Sequence, residues 1–83
     1  MTSLPKMHDG TASGMAALSI CESLILALGD LNILPEKEAV GVISDAAAAH
    51  RGAGTSPEAI ALHLSVAAIL DRILAGGNSI RRP

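Results

Sequence analysis

Phenylalanine, tryptophan and tyrosine are all missing from this 83-residue chain. An aromatic side chain buries about 150–250 Å², so the largest single contributors to a core are excluded. Cysteine is nearly missing as well. Cys21 is the one thiol, which rules out an internal disulfide and fits a reducing compartment. Uninterrupted apolar runs of the roughly 18 residues that a membrane span needs are absent too. Glu22 breaks the first candidate, and His63, Asp71 and Arg72 break the last. The opening MTSLPKMHDGTASG has no apolar core, so it does not read as a signal peptide. These absences together predict a cytoplasmic protein without a membrane partner.

What is present is aliphatic. Hydrophobic residues make up 49% of the chain, and alanine, leucine and isoleucine supply 15, 11 and 8 of them. Such a set suits helices that approach closely and suits sheets poorly. A domain this small buries a low fraction of its surface. With neither disulfide nor metal to staple it, association with a second copy is the expected remedy.

Charge is unevenly spread. The span Gly10–Ala75 carries seven acids and three bases, whereas the ends hold Lys6, Arg81 and Arg82 against Asp9. An acidic body with a short basic tail argues against a nucleic-acid partner.

Periodicity predicts an all-α, antiparallel three-helix bundle, with helices about 14–31, 35–51 and 57–75 and flexible termini. Residues 1–12 read as a flexible arm, 13–76 as the three-helix domain and 77–83 as a flexible basic tail. Ser13 is placed to cap the first helix. There Ala17, Ile20, Cys21, Leu24, Ile25, Ala27, Leu28 and Leu31 share one broad face, with Leu26 amid the polar one. That arc exceeds the roughly 100° needed against one neighbour, so this helix is expected to meet two surfaces, or one surface and a second subunit.

In the second helix Pro35 fits the first position and Glu36 and Glu38 the first turn. Ala39, Val40, Ile43, Ala46 and Ala47 form its buried line, and Gly52 is placed as a left-handed cap. Ser56-Pro57-Glu58 is a strong helix start. Ala59, Leu62, Val66, Ile69, Leu70 and Ile73 line the third helix, and Gly76-Gly77 end it.

Chemistry-bearing residues are sparse. Cys21, mid-helix on the apolar face, reads as a small core residue. His8, His50 and His63 stand far apart, and none lies three or four residues from another His, Cys or acid, so no metal site or cofactor is expected. His63 sits at the edge of an apolar face, as an interface or rim histidine. His50 reads as a helix-end residue. Glu36, Glu38 and Asp45 lack the alternating ligands and central glycine of a calcium loop. A helix-turn-helix reading fails on charge, since Arg72 is the third helix's one base against Glu58 and Asp71.

Extra apolar residues remain on helices that already have an apolar face. Leu26, Leu64 and Met15, with His63, are the candidate interface residues. The function expected is a non-catalytic interaction or regulatory module, acting through a homodimer seam or a groove for a protein partner's helix. The alternative is a bundle that binds a small apolar ligand.

The runs ALSICESLILALGDLNILPEKEAVGVISDAAAAHR (Ala17–Arg51) and ILAGGNSIRRP (Ile73–Pro83) resemble short uncharacterised helical proteins of alphaproteobacteria. The resemblance implies a bacterial cytoplasmic setting and carries no activity and no functional residues.

Overall fold

A computed structural model describes residues 6–76, 80 and 81, with side-chain surroundings defined from residue 10 onward. Three helices follow one another: α1 (Lys6–Asp30), α2 (Glu36–Arg51) and α3 (Pro57–Leu74). No strand occurs among the described residues. The all-α, three-helix reading therefore holds.

α1 begins well before the expected Gly14, and Ser13 lies inside it instead of capping it. Residues 6–12, expected as an arm, are helical. Exposed glycine costs a helix only about 1 kcal/mol, so Gly10 and Gly14 do not stop the ladder. Residues 1–5 of the expected arm lie outside those described.

The C-terminal end of α1 is closed by Asn32. Its φ of 60° puts it in the left-handed region, which asparagine tolerates better than most side chains. The Ile33 amide then donates to the Leu28 carbonyl at 2.9 Å and the Asn32 amide to that of Gly29 at 3.0 Å. This six-to-one and five-to-two pair is a Schellman closure. Pro35 follows as the residue preceding α2, one position earlier in the helix frame than expected.

α2 buries the line its spacing predicts: Ala39, Ile43 and Ala47 are fully covered, and Val40 and Ala46 half-buried. Ser56 caps α3, its hydroxyl accepting from the Ala59 amide at 3.1 Å. Between the two helices, Gly54 takes the left-handed conformation (φ 96°). Gly52 is the C-terminal cap of α2 as expected, but its φ of −98° is not left-handed. The turn needs Gly54 for space as well, because a Cβ would lie 2.9 Å from the Ile60 nitrogen. Gly76, also left-handed, ends α3.

α2 and α3 form the one extensive helix–helix contact. Its centre is aliphatic: Ile43, Ile73 and Ile80, flanked by Leu18, Ile25, Val40, Leu70 and Leu74. Adjacent residues at the end of α2 reach distant points of α3. His50 meets His63, and Arg51 meets Asp71. Those points are eight residues, or about 12 Å of helix, apart, so the end of α2 lies across α3.

α3 turns slightly from the expected orientation. His63, Val66, Ala67, Leu70, Ile73 and Leu74 point inward, while Leu62 and Ile69 are exposed at its edge. Ala67 and His63 are the residues that α2 needs at the crossing, one small and one able to hydrogen-bond.

The tail is not wholly loose. Ile80 is buried in the core, and Arg81 donates to the Leu74 carbonyl at 3.2 Å and pairs with Glu36 at 3.4 Å. Burying one isoleucine contributes about 1.5–3 kcal/mol, enough to fix a short segment against α2 and α3. The remaining residues of the expected tail, 77–79, 82 and 83, lie outside those described.

The radius of gyration is 14.9 Å, with extents of 39 × 38 × 19 Å. A compact chain of this length is expected near 12 Å.

Candidate interaction surface

α1 carries apolar residues on two opposite sides. At 100° per residue, Leu18, Glu22, Ile25 and Gly29 fall in one narrow arc. All four are half-buried, and Leu18 and Ile25 pack on the core. About 150° around the helix lies a second stripe: Ala17, Ile20, Leu24, Ala27 and Leu31. Every member is exposed, and the three large ones remain 67%, 55% and 67% accessible.

This reverses the expected burial of α1. The broad face of Ala17, Ile20, Cys21, Leu24, Ala27 and Leu31 points away from the molecule, and only Ile25 and Leu28 of that set turn toward it. The reason is local. On the inward side Leu18 and Ile25 pack on the Ile43, Ile73 and Ile80 cluster, and Gly29 lets the helix lie close to the Leu34 carbonyl. Cys21 is exposed beside the stripe, not a core residue.

The four candidate interface residues divide. Met15 and Leu64 are exposed, at 66% and 49%. Met15 lies on the inward side of α1, and Leu64 on the far flank of α3, so they do not form one patch with each other or with the outer stripe. Leu26 is half-buried. It borders a cleft of about 150 Å³ between α1, the start of α2 and the tail, with Ile25, Leu34, Ala39 and Ile80 around it. His63 is half-buried and engaged.

His63 and His50 form the molecule's most specific polar contact. Their Nδ1 atoms stand 2.8 Å apart, and the rings stack with centroids 5.1 Å apart at 28°. One ring donates and the other accepts. About two turns further along α3, one Arg51 nitrogen donates to both Asp71 carboxylate oxygens at 3.0 Å. Both contacts clamp α2 to α3. Their chemistry is that of a fastener between helices.

No group of three or more His, Cys, Asp or Glu is arranged to hold a metal among the described residues. No polar or charged side chain is fully buried among them either. By length and composition Gly10–Asp30 would suffice to cross a membrane, despite Glu22.

What stands out is an aliphatic ridge on a helix otherwise anchored from behind. A groove lined by Ser19, Ile20, Ser23 and Leu24 runs along it. The ridge spacing of 3, 4, 3 and 4 residues from Ala17 to Leu31 is the period with which one helix packs along another. Sequence reasoning recognised the apolar residues but not which half would be left outside. The signal available was the second set at Leu18 and Ile25, on the opposite side of the same helix. No family model matches this chain, and no curated protein or solved structure matches it either.

Proposed function

We propose that this chain is a non-catalytic helical interaction module whose working surface is the outer ridge of α1. One observation carries the reading: Ile20, Leu24 and Leu31 project from α1 at helix-packing spacing on the side away from its own core. Three large aliphatics exposed singly on a surface would be ordinary. Aligned on one face over about three turns, they are the form of surface that takes a partner helix. The α2–α3 pair then acts as the platform that holds α1 by its inner side. The reducing, cytoplasmic setting fits the lone exposed Cys21.

A small apolar ligand in the cleft beside Leu26 is the competing reading. Ligand pockets run to about 300–1,000 Å³, and this cleft is about 150 Å³. Its rim is also occupied by the Arg81–Glu36 pair. Size places the ridge ahead of the cleft. The DNA-binding reading loses further support because Arg51, the base that α2 brings onto α3, is engaged by Asp71.

Attaching a photo-crosslinker to Cys21 and irradiating the labelled protein in a cell extract tests the reading. Adducts with protein are expected from Cys21. Few are expected from a probe at Ala68→Cys, on the outer side of α3, in a Cys21→Ser background. Equal yields from both positions, or no protein adduct from Cys21, would overturn it.

A further inference from the structure

We infer that the His50–His63 contact is a proton-operated clamp. It holds the end of α2 on α3 while the pair carries no more than one extra proton, and it lets go when both rings are charged. The inference is independent of what the ridge of α1 binds.

Geometry comes first. The Nδ1 atoms stand 2.8 Å apart and the ring centroids 5.1 Å apart. The difference is about two ring radii, so the nitrogens lie between the ring centres and face each other almost head-on. That gap accommodates a shared hydrogen. It is too short for a metal ion, which stands about 2.0–2.1 Å from each imidazole nitrogen. Both rings are half-buried, so solvent protons reach them.

The donor count then fixes what each proton does. With both rings neutral, one Nδ1–H donates to the bare Nδ1 of the other. With one ring charged, the same bond persists and becomes charge-assisted, which strengthens it. With both charged, each Nδ1 carries a hydrogen, no acceptor remains and two like charges face each other. In the unfolded chain the rings are apart, and each takes its proton independently. For the second proton the unfolded chain is therefore the better acceptor, and stability falls as the pH falls through that step. Imidazoles titrate near neutrality, which puts the loss between about pH 7 and pH 5.

The surroundings leave the pair to itself. One turn from His50 on α2 stand Ala46 and Ala47, and one turn from His63 on α3 stand Ala59, Ile60, Val66 and Ala67. The connecting segment 52–56 holds no charge. Of the charged groups on the two helices, Arg51 and Asp71 pair with each other at 3.0 Å. Asp45 and Glu58 each precede a histidine by five residues, about 140° around the helix. Arg72 is about half a turn around α3 from His63, and Glu36, Lys37 and Glu38 lie at the far end of α2. α1 packs about two turns away, where Leu18 and Ile25 meet the Ile43 cluster. Its titratable side chains among those described are Cys21, Glu22 and Asp30. The Ile43–Ile73 contact does not involve the imidazoles, so what the clamp releases is the end of α2, the connecting segment and the start of α3.

Urea titration of the full chain at about pH 7.5 and about pH 5 tests this. Between those values the wild-type ratio of unfolded to folded chain is expected to rise about tenfold more than that of His63→Gln, whose amide can bond His50 and takes no proton. Arg51→Gln is expected to keep the wild-type dependence, which separates the imidazoles from Asp71. Equal dependence in the wild type and His63→Gln overturns the proposal, as does its loss in Arg51→Gln. Nitrogen-15 NMR of the wild-type rings decides the matter even where a variant fails to fold. His50 and His63 are expected to titrate in two separate steps, the second accompanied by lost amide protection over residues 46–51. Two charged rings with that protection intact would overturn the clamp.

Discussion

The α2–α3 pair and α1 are built from the same residues and use them differently. Both draw their apolar residues mainly from alanine, leucine and isoleucine. In α2 and α3 the main apolar faces meet, leaving Ile43, Ala47, Ala67 and Ile73 almost without solvent contact, while Val42, Ile60, Leu62, Leu64 and Ile69 stay exposed outside that contact. The pair is then locked by specific links: Ser56 to the Ala59 amide, His50 to His63, and Arg51 to Asp71. α1 has two apolar faces, only one of which finds a neighbour within the chain. A helix with one apolar face packs a domain. A helix with two holds the domain with one and presents the other.

That contrast can be broken or sharpened by substitution. The largest effect is expected at Ile73→Ala, which hollows the buried contact. A loss of about 3 kcal/mol in unfolding free energy by urea titration is expected. A loss under 1 kcal/mol would mean that the α2–α3 contact is not the stable unit.

Gly54→Ala comes next. It combines a positive φ with a Cβ placed against the backbone of Ala59 and Ile60. About 2 kcal/mol of destabilisation is expected in the same titration, and a neutral result would remove the turn from the account. Ser56→Ala removes the α3 cap, with an expected cost of about 1 kcal/mol. Leu62→Ser, on the exposed edge of α3, should move the urea midpoint least, within about 0.5 kcal/mol. A larger loss there would show that this edge is covered too.

How much of this was legible in the sequence follows the same division. The buried line of α2 could be read residue by residue, because its polar positions Lys37, Ser44 and Asp45 leave only one side for the core. The start of α3 could be read from Ser56-Pro57-Glu58. α1 misled because a helical wheel ranks faces by how apolar they are and not by which neighbour exists. Ile20, Leu24 and Leu31 formed the greasier face, yet the space beside α2 and Ile80 was filled by Leu18 and Ile25.

Other features left no local trace. Ile80 is a single apolar residue in a segment without period, so its burial depends wholly on tertiary structure. His50 and His63 sit 13 residues apart on two helices, and only the crossing of α2 over α3 brings their rings together. Asn32 did leave a trace, since asparagine three residues before a proline is a recognisable helix ending. Gly52 caps α2 as expected, but the left-handed turn falls two residues later at Gly54, because the two glycines look alike until the turn is closed.

Amide hydrogen exchange with and without the partner captured through Cys21 tests most directly whether the outer ridge of α1 meets a second molecule. Protection of residues 17–31 is predicted to rise steeply when that partner is present, while residues 39–47 and 63–73 keep the same protection throughout. Protection of α1 that does not change with the partner would contradict the account.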